Sequence, residues 1–256
     1  MMQQITSETD VKEVIRESWN RRGSDYDNSP GHGIHSEQEK EAWKSLLTRA
    51  LGDETLDVLD VGCGTGVIAL LLAELGHNVT GMDFSEGMLE RAKEKADTQN
   101  LRAEFRFGDA ENPPFEDETF DAITNRHLLW TLPNPEKAIA EWRRILRTEG
   151  KIIIIDGNWG DYNRLHRHIW SYLVSIPLIL ITERKNPSRG RHYKQIEPHL
   201  PMRHRKRPEA DIEILKDHGF GVDVTDVRIP RTQSFISSLK YGHWGDRGYF
   251  MVKGIK

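Results

Sequence analysis

The sequence predicts an α/β fold built on a doubly wound, mostly parallel sheet of seven strands. Two observations lead to this fold class. From Leu56 onward, short runs typical of buried strands alternate with stretches whose apolar residues recur at helical spacing. The length of 256 residues is also sufficient for one domain with a full hydrophobic core and an added cap.

The composition narrows the class of protein further. With 36 Lys and Arg against 40 Asp and Glu, the net charge of −4 gives no general attraction to nucleic acid or to an anionic membrane. Cys63 is the single cysteine, which excludes an intrachain disulfide or a cysteine metal cluster and is typical of a reducing compartment. We therefore expect a folded cytoplasmic protein, and the first residues lack the features of a signal peptide.

The first 55 residues predict a helical lid that precedes the core. Ser7 with Asp10, and Ser36 with Glu39, are spaced as capping boxes that open two helices. Between these helices lies a loop with the sequence GSDYDNSPGHGIH. The domain boundary is therefore expected at residue 55, with the core over residues 56–256.

Five parallel strands are predicted in the core, at residues 56–61, 78–83, 104–107, 120–125 and 151–156, with helices between them. The alternation then stops, and residues 157–207 are expected to form an inserted cap, partly helical and partly irregular. It resumes with a helix over residues 208–219 and two late strands at residues 222–228 and 248–254.

The cap contains the longest apolar stretch of the chain, residues 169–181, interrupted by Pro177. Thirteen residues are too few to cross a bilayer, so no membrane-spanning segment is expected. We expect a helix over residues 161–181 that packs on the core. Lining a substrate pocket and forming a homodimer interface are the alternatives.

A glycine-rich turn follows the first strand. Gly62, Gly64 and Gly66 lie between a buried strand and a helix, where missing side chains let a ligand approach the backbone. Position 67 is Val, so the pattern differs from the G-x-G-x-x-G fingerprint and argues against NAD. Asp83 closes the second strand, 17 residues after Gly66, where it is placed to accept hydrogen bonds from the vicinal hydroxyls of a ribose.

These features resemble the class I S-adenosylmethionine-dependent methyltransferases, specifically the type 11 or UbiE-like group. The resemblance covers Leu56 to Asp156, with a weaker echo in WNRRGSDYD near the N-terminus. It is carried by the glycine spacing, Asp60, Asp83, the block GDAENPPFEDETFDAI and the proline-initiated helix before KIIIID. It implies a Rossmann-like fold, S-adenosylmethionine as the cofactor and S-adenosylhomocysteine as the product.

The resemblance also implies where the cofactor is held. The three glycines, with Cys63 between them as a small residue, would turn under the methionine part and the ribose. Asp60 would lie near the amino end of the cofactor, and Asp83 would hold the ribose hydroxyls. The adenine would be contacted by Phe84, Met88, Asp109 and Ala110. The methionyl part would face Asn125 or Arg126, and the lid would contact the cofactor through Tyr26.

Histidines are the candidate bases for removing a proton from a methyl acceptor, because imidazole titrates near neutral pH. His127 follows the fourth strand, close to the expected methyl position, but it can equally serve packing alone. His32 and His35 are candidates for an acceptor clamp, a base or half of a metal site, although a solvated start of a helix is the preferred interpretation. No metal is assigned.

The acceptor is expected to be a small molecule. Residues 184–207 contain nine Lys or Arg and only Glu197 as an acid, so an RNA or protein acceptor bound through this basic segment is an alternative, as is a mobile solvated face. Tyr193 is its one aromatic residue, which disfavours single-stranded RNA. A non-catalytic module that binds S-adenosylmethionine is a third hypothesis.

Overall fold

The computed structural model describes residues 7–23, 26–28, 31–157, 169–183, 195–230, 239–240 and 249–256. Two helices precede the sheet, α1 at Glu8–Asn20 and α2 at Glu37–Leu51, as predicted. Ser7 and Asp10 form the reciprocal capping box of α1. At α2 the cap is one-sided, because the Ser36 hydroxyl accepts from the backbone of Glu39 while the Glu39 carboxylate accepts from the backbone N–H of His35.

Seven strands form one sheet, in the spatial order β3-β2-β1-β4-β5-β7-β6. The first five run parallel, and β7 pairs antiparallel with both β5 and β6, which confirms the mostly parallel sheet with a late strand pair. The strands are β1 Asp57–Val61, β2 Asn78–Asp83, β3 Glu104–Phe107, β4 Phe120–Arg126, β5 Leu146–Gly157, β6 Gly221–Val227 and β7 Tyr249–Ile255. β5 begins five residues earlier than predicted, because the preceding helix, Pro135–Ile145, ends directly before it.

Helices cover both faces of the sheet, as the apolar strand sequences require. Ser85 caps α4 through its hydroxyl, and Pro135 occupies the first position of α5, where its missing N–H is harmless. The described helices of this part are α3 Val67–Glu74, α4 Glu86–Gln99, α5 Pro135–Ile145, α6 Ile176–Glu183 and α7 Glu209–Asp217, and a π-helical turn, Ser171–Ser175, leads into α6.

The core consists of one large apolar cluster on each face of the sheet and a third, smaller cluster in which Val11 of α1 packs against Ile196 and Leu200. The first cluster joins α2, α3 and α4 to the sheet and includes Trp43 and Leu47. The second joins α5 and α7 to the other face and includes Trp142 and Leu215. Because α2 contributes to the first cluster, it packs on the sheet, and the domain boundary expected at residue 55 stays a prediction.

The expectation that the apolar stretch of the cap packs on the core holds only in part, because six of its 13 side chains are exposed. Ser175 and Ile179 are its buried residues, whereas Tyr172, Leu173 and Ile181 are exposed. Residues 161–168 of the predicted helix, and most of the basic segment up to residue 194, lie outside the described residues. No helix in the described ranges is long and apolar enough to cross a membrane.

Candidate functional site

A pocket lies where β1, β2 and β4 end, and α1 covers it. Lys12, Ile15 and Trp19 of α1 line it, together with Leu128 and Leu132 from the loop after β4. The sequence-predicted residues on its wall are Tyr26, Gly62, Gly64, Asp83, Phe84, Met88, Asp109, Ala110, Arg126 and His127. The structure therefore brings together residues from the lid, from the glycine turn and from the ends of four strands.

The glycine turn passes beneath this pocket. The backbone N–H groups of Gly62 and Cys63 both donate to the Met82 carbonyl, at 2.7 and 3.1 Å, which ties the turn to β2. Gly64 has a φ of 53°, a left-handed conformation that favours glycine, and the space beside its Cα is open. Gly66 does not line the pocket, because its Cα faces Ala92 of α4.

Asp83 is fixed by the turn that it faces. One carboxylate oxygen accepts from the backbone N–H of Gly64 at 2.8 Å, and the other accepts from that of Ser85 at 2.9 Å. Burial raises the pKa of Asp83 to about 6, although the backbone hydrogen bonds oppose this change. Asp83 is therefore an oriented carboxylate on the pocket wall, and its oxygens can accept further hydrogen bonds.

Asp60 is buried and does not line the main pocket. Its two oxygens accept from the Thr124 hydroxyl at 2.8 Å and from the backbone N–H of Ala69 at 3.1 Å. Burial raises the pKa of Asp60 to about 7. Asp60 and Cys63 border a smaller cavity beneath the turn, so a contact between Asp60 and a cofactor stays a prediction. Burial also raises the pKa of the Cys63 thiol, which makes it a poor nucleophile.

Asp109 meets a residue that the sequence analysis did not single out. Lys12 of α1 lies 2.8 Å from an Asp109 oxygen and 2.6 Å from an oxygen of Glu111, a side chain with no exposed surface. Burial alone would lower the pKa of Lys12, but hydrogen bonds to Asp109 and Glu111 outweigh it and raise the pKa. The other Glu111 oxygen accepts from the backbone of Asn134, so this cluster links α1 to the start of α5.

Phe84 lines the pocket, and a second phenylalanine outside the pocket wall, Phe107, contacts it. The rings of Phe84 and Phe107 are 5.3 Å apart, and Phe84 together with Met88 forms the apolar wall next to Asp109. Such a wall beside a carboxylate suits a flat base that carries an amine. Adenine contacts at Phe84, Met88, Asp109 and Ala110 stay predictions that this geometry permits.

An aromatic and imidazole cluster occupies the opposite end. The His127 ring lies 5.8 Å from the ring of His32 and 5.2 Å from that of Tyr249, and the Tyr26 ring lies 4.4 Å from that of His32. His127 has a φ of 61°, a left-handed conformation that is uncommon for a residue with a side chain. This cluster joins the loop between α1 and α2, residues 23–35, which we call the lid loop, to β4 and β7.

Arg126 organises this end of the pocket. It donates to the His32 carbonyl and lies over the Trp43 ring, which fixes the lid loop against α2. His35 is not part of the cluster, because it borders a separate cleft beside α2 and α3. Asn125 is fully buried and does not line the pocket, so Arg126 is the member of that pair that reaches the wall.

Sequence reasoning missed Lys12 and Glu111. Lys12 has a local explanation as the partner of Glu8 four residues earlier in α1, and nothing in the sequence connects it with position 109. The described parts of the chain contain no group of three or more His, Cys, Asp or Glu side chains that could hold a metal.

Comparison with known proteins agrees with the location of this pocket. A family model described as a methyltransferase domain (Methyltransf_11) matches residues 59–154, the segment that supplies the glycine turn, Asp83 and Asp109. Over this segment the chain is similar to a methyltransferase domain, in agreement with the resemblance to the class I S-adenosylmethionine-dependent methyltransferases. Its curated relatives include demethylmenaquinone methyltransferases, in agreement with the predicted resemblance to the UbiE-like group.

Two curated relatives illustrate the likeness within the methyltransferase family. The demethylmenaquinone methyltransferase of Lactococcus lactis subsp. lactis (strain IL1403) is 34% identical over 150 residues, which cover 57% of this chain and 59% of that protein. The phosphatidylethanolamine N-methyltransferase of Cereibacter sphaeroides is 41% identical over 101 residues, which cover 39% and 49%. The chain thus spans about half the length of the curated relatives it matches.

Solved structures of methyltransferases share the fold. The magnesium protoporphyrin IX methyltransferase from Synechocystis PCC 6803 with bound SAH superposes with a TM-score of 0.60 at 18% identity. The superposition covers 96% of this chain and 99% of that one. At such low identity, the likeness extends to the fold and not to the substrate.

Proposed function

We propose that this methyltransferase binds S-adenosylmethionine in the pocket beneath α1 and transfers its methyl group to a small-molecule acceptor, releasing S-adenosylhomocysteine. The observation that carries the proposal is the oriented Asp83 carboxylate beside the open backbone of Gly64, inside the segment that matches the methyltransferase domain. A carboxylate at this strand end is suited to accept hydrogen bonds from a ribose.

The polar groups of the pocket fit the chemistry of this cofactor. Asp83 offers acceptor capacity for the ribose hydroxyls, Asp109 for an amine of the base, and Phe84 an apolar surface for the ring. The cofactor supplies an electrophilic methyl group on a sulfonium. In this proposal α1 is the lid, since Ile15 and Trp19 close the pocket from the solvent side.

The chain's contribution to methyl transfer is alignment, exclusion of water and removal of a proton where the acceptor carries one. His127 is our candidate for the base, because it lines the pocket at the end away from Phe84 and is held next to His32. Arg126 anchors the lid loop at the same place, so it positions His32 rather than moving a proton.

The pocket wall supports a small and largely apolar acceptor. Leu128 and Leu132 line it, with Ile15 and Trp19 opposite, and the names of the two curated relatives point to a quinone precursor and a phospholipid as their acceptors. An RNA acceptor has less support, because the described basic side chains Arg205 and Lys206 pair with Glu213 and Glu209. The single cysteine, Cys63, supports a cytoplasmic location.

The deciding experiment is a calorimetric titration with S-adenosylmethionine, S-adenosylhomocysteine and, as a control, NAD. Micromolar binding of the first two without binding of NAD is expected, followed by formation of S-adenosylhomocysteine with an acceptor from a panel of quinol, phenol and amine compounds. Absence of binding to the first two ligands would refute the proposal. Binding without turnover on the whole panel would favour a non-catalytic binding module.

A further inference from the structure

The cap displays an apolar surface that the proposed function does not use. Over residues 169–182, where no side chain is charged, the large residues Tyr172, Leu173 and Ile181 are 70–76% exposed. Ile169 and Leu180 are also exposed. We call these five residues the outer stripe, because their spacing places them along one side of the helical segment.

The segment lacks the polar face that an ordinary surface helix turns to solvent. Ser175 and Ile179, four residues apart, are buried and Val174, Ile176 and Leu178 are half-buried, whereas the side turned to solvent is also apolar. A continuous row of exposed aliphatic and aromatic side chains is unfavourable in water and marks a surface that meets an apolar partner. The π-helical turn Ser171–Ser175 lies within this row.

Charge and aromatic residues favour a membrane surface as that partner. In the sequence, Arg164 and Arg167 precede the apolar stretch, and Arg184 and Lys185 follow Glu183 directly. Short apolar helices with basic flanks bind in the interface of anionic bilayers, where the apolar side enters the acyl region and the cations remain among the headgroups. Trp and Tyr are the residues enriched at that depth, and the stretch contains Trp170 and Tyr172.

We propose that residues 169–183 bind the surface of an anionic membrane, with the outer stripe immersed below the headgroups. The segment is too short to cross the bilayer, so binding is peripheral and reversible. Membrane binding by this segment is independent of the proposed methyl transfer, because the segment contributes no residue to the pocket.

The test is co-sedimentation of the full chain with vesicles of phosphatidylcholine, alone and mixed with phosphatidylglycerol. Binding to the mixed vesicles is expected, with a loss on raising the salt concentration. The double variant Leu173→Gln, Ile181→Gln should reduce the partition coefficient about tenfold or more, because two exposed side chains no longer enter the acyl region. The matched control Val224→Gln, Ile255→Gln alters two exposed aliphatic residues on β6 and β7 and should bind like the wild type.

A second measurement does not depend on the double variant folding. Tyr172→Cys, labelled with a polarity-sensitive dye while the buried Cys63 stays unreactive, should shift its emission to the blue on adding mixed vesicles, and labelled Val224→Cys should not. Equal binding by the wild type and the double variant would overturn the proposal, as would no binding to mixed vesicles. A wild-type dimer that the double variant dissociates, without vesicle binding, would assign the outer stripe to a second copy of the chain instead.

Discussion

The carboxylate of Asp83 is held by two backbone N–H groups, so it has a defined orientation before any ligand arrives. Replacing it with alanine removes a charged hydrogen-bond acceptor for the ribose. We expect Asp83→Ala to weaken S-adenosylhomocysteine binding by roughly 1.5–3 kcal/mol, measured by calorimetry. Asp53→Ala, in an exposed loop before β1, is the control. Unchanged affinity in Asp83→Ala would remove this residue from the cofactor site.

Asp60 makes stability depend on pH. Its ordinary pKa of 3.8 rises to about 7 in the folded protein, so the folded state binds the proton more tightly than the unfolded state does. The contribution to stability is therefore complete below pH 3.8, falls as the pH rises and levels off above about pH 7.

The matched variant for this effect is Asp60→Asn, which keeps the shape of the side chain without its charge. Between pH 5 and pH 7, the free energy of unfolding of the wild type should fall relative to that of Asp60→Asn by at most about 1.4 kcal/mol per pH unit. Urea denaturation at several pH values measures the difference. Parallel curves for the two proteins would mean that Asp60 does not titrate in this range.

His127 combines a left-handed backbone with a place on the pocket wall. Asparagine tolerates that backbone conformation but cannot act as a base, so His127→Asn separates the two properties. With an acceptor in hand, we expect cofactor affinity to be retained and kcat to fall by about 10²–10⁴-fold, with loss of the acidic limb of the pH–rate profile. A kcat equal to that of the wild type would end the candidacy of His127 as the base.

At the scale of elements, both polar contacts and a small apolar cluster hold α1 in place, and in that cluster Val11 packs against Ile196 and Leu200. Besides the contacts of Lys12, Arg16 pairs with Glu86, and the Asn20 side chain accepts from the Ser85 hydroxyl and from the backbone of Gly87. These bonds hold α1 against the start of α4. Opening α1 would expose the small cluster around Val11 but neither of the two large apolar clusters, as a lid over a ligand requires.

Removing the cation at position 12 should therefore loosen α1. In Lys12→Met, Glu111 loses its cationic partner, and we expect the opening free energy of α1 to fall by roughly 1.5–3 kcal/mol. Hydrogen exchange of the amides in Glu8–Asn20 measures this change as faster exchange. Lys40→Met, which breaks an ion pair with Glu74 on α3, leaves that exchange unaltered. If Lys12→Met exchanges at the wild-type rate, Lys12 does not hold the lid.

The contacts of α1 also indicate what could be predicted from the sequence. The capping box at Ser7 predicted where α1 begins, because the signal lies within four residues. The pairing of Lys12 with Asp109 spans 97 positions and depends on how the elements pack, which no local pattern records.

The exposure of side chains in the apolar stretch around Leu173 was not predicted, for a related reason. Its composition predicts burial, but the composition does not say whether the apolar partner is this chain or something outside it. By contrast, the glycine turn and Asp83 were predictable, since a strand, a turn and the next strand end bring them together by short-range connections.

At the scale of the whole molecule, a buried ionic cluster joins three parts of the fold. Arg207 lies between Asp156 at the end of β5, at 2.6 Å, and Asp211 of α7, and it stacks over the Phe250 ring of β7. All three charged side chains are almost completely buried. Arg207 thus attaches the segment before α7 to the sheet, and its charge balances the two buried carboxylates.

Arg207→Met should destabilise the protein by about 3–5 kcal/mol, because it leaves two carboxylates buried without their cation. Arg205→Met, two residues earlier, breaks a partly exposed pair with Glu213 and should cost less than about 1 kcal/mol. Urea denaturation of the two variants measures the contrast. A similar loss of unfolding free energy in both variants would show that the buried cluster stabilises the protein no more than an exposed ion pair does.

The position of β7 constrains the order in which the sheet is assembled during synthesis. In the described part of the chain, β6 pairs only with β7, and β7 pairs with both β5 and β6. When β6 leaves the ribosome, its place in the sheet does not yet exist, because the strand that must lie between β5 and β6 is still to be made. The first five strands can associate while translation continues, whereas β6 waits for residues 249–255 to emerge.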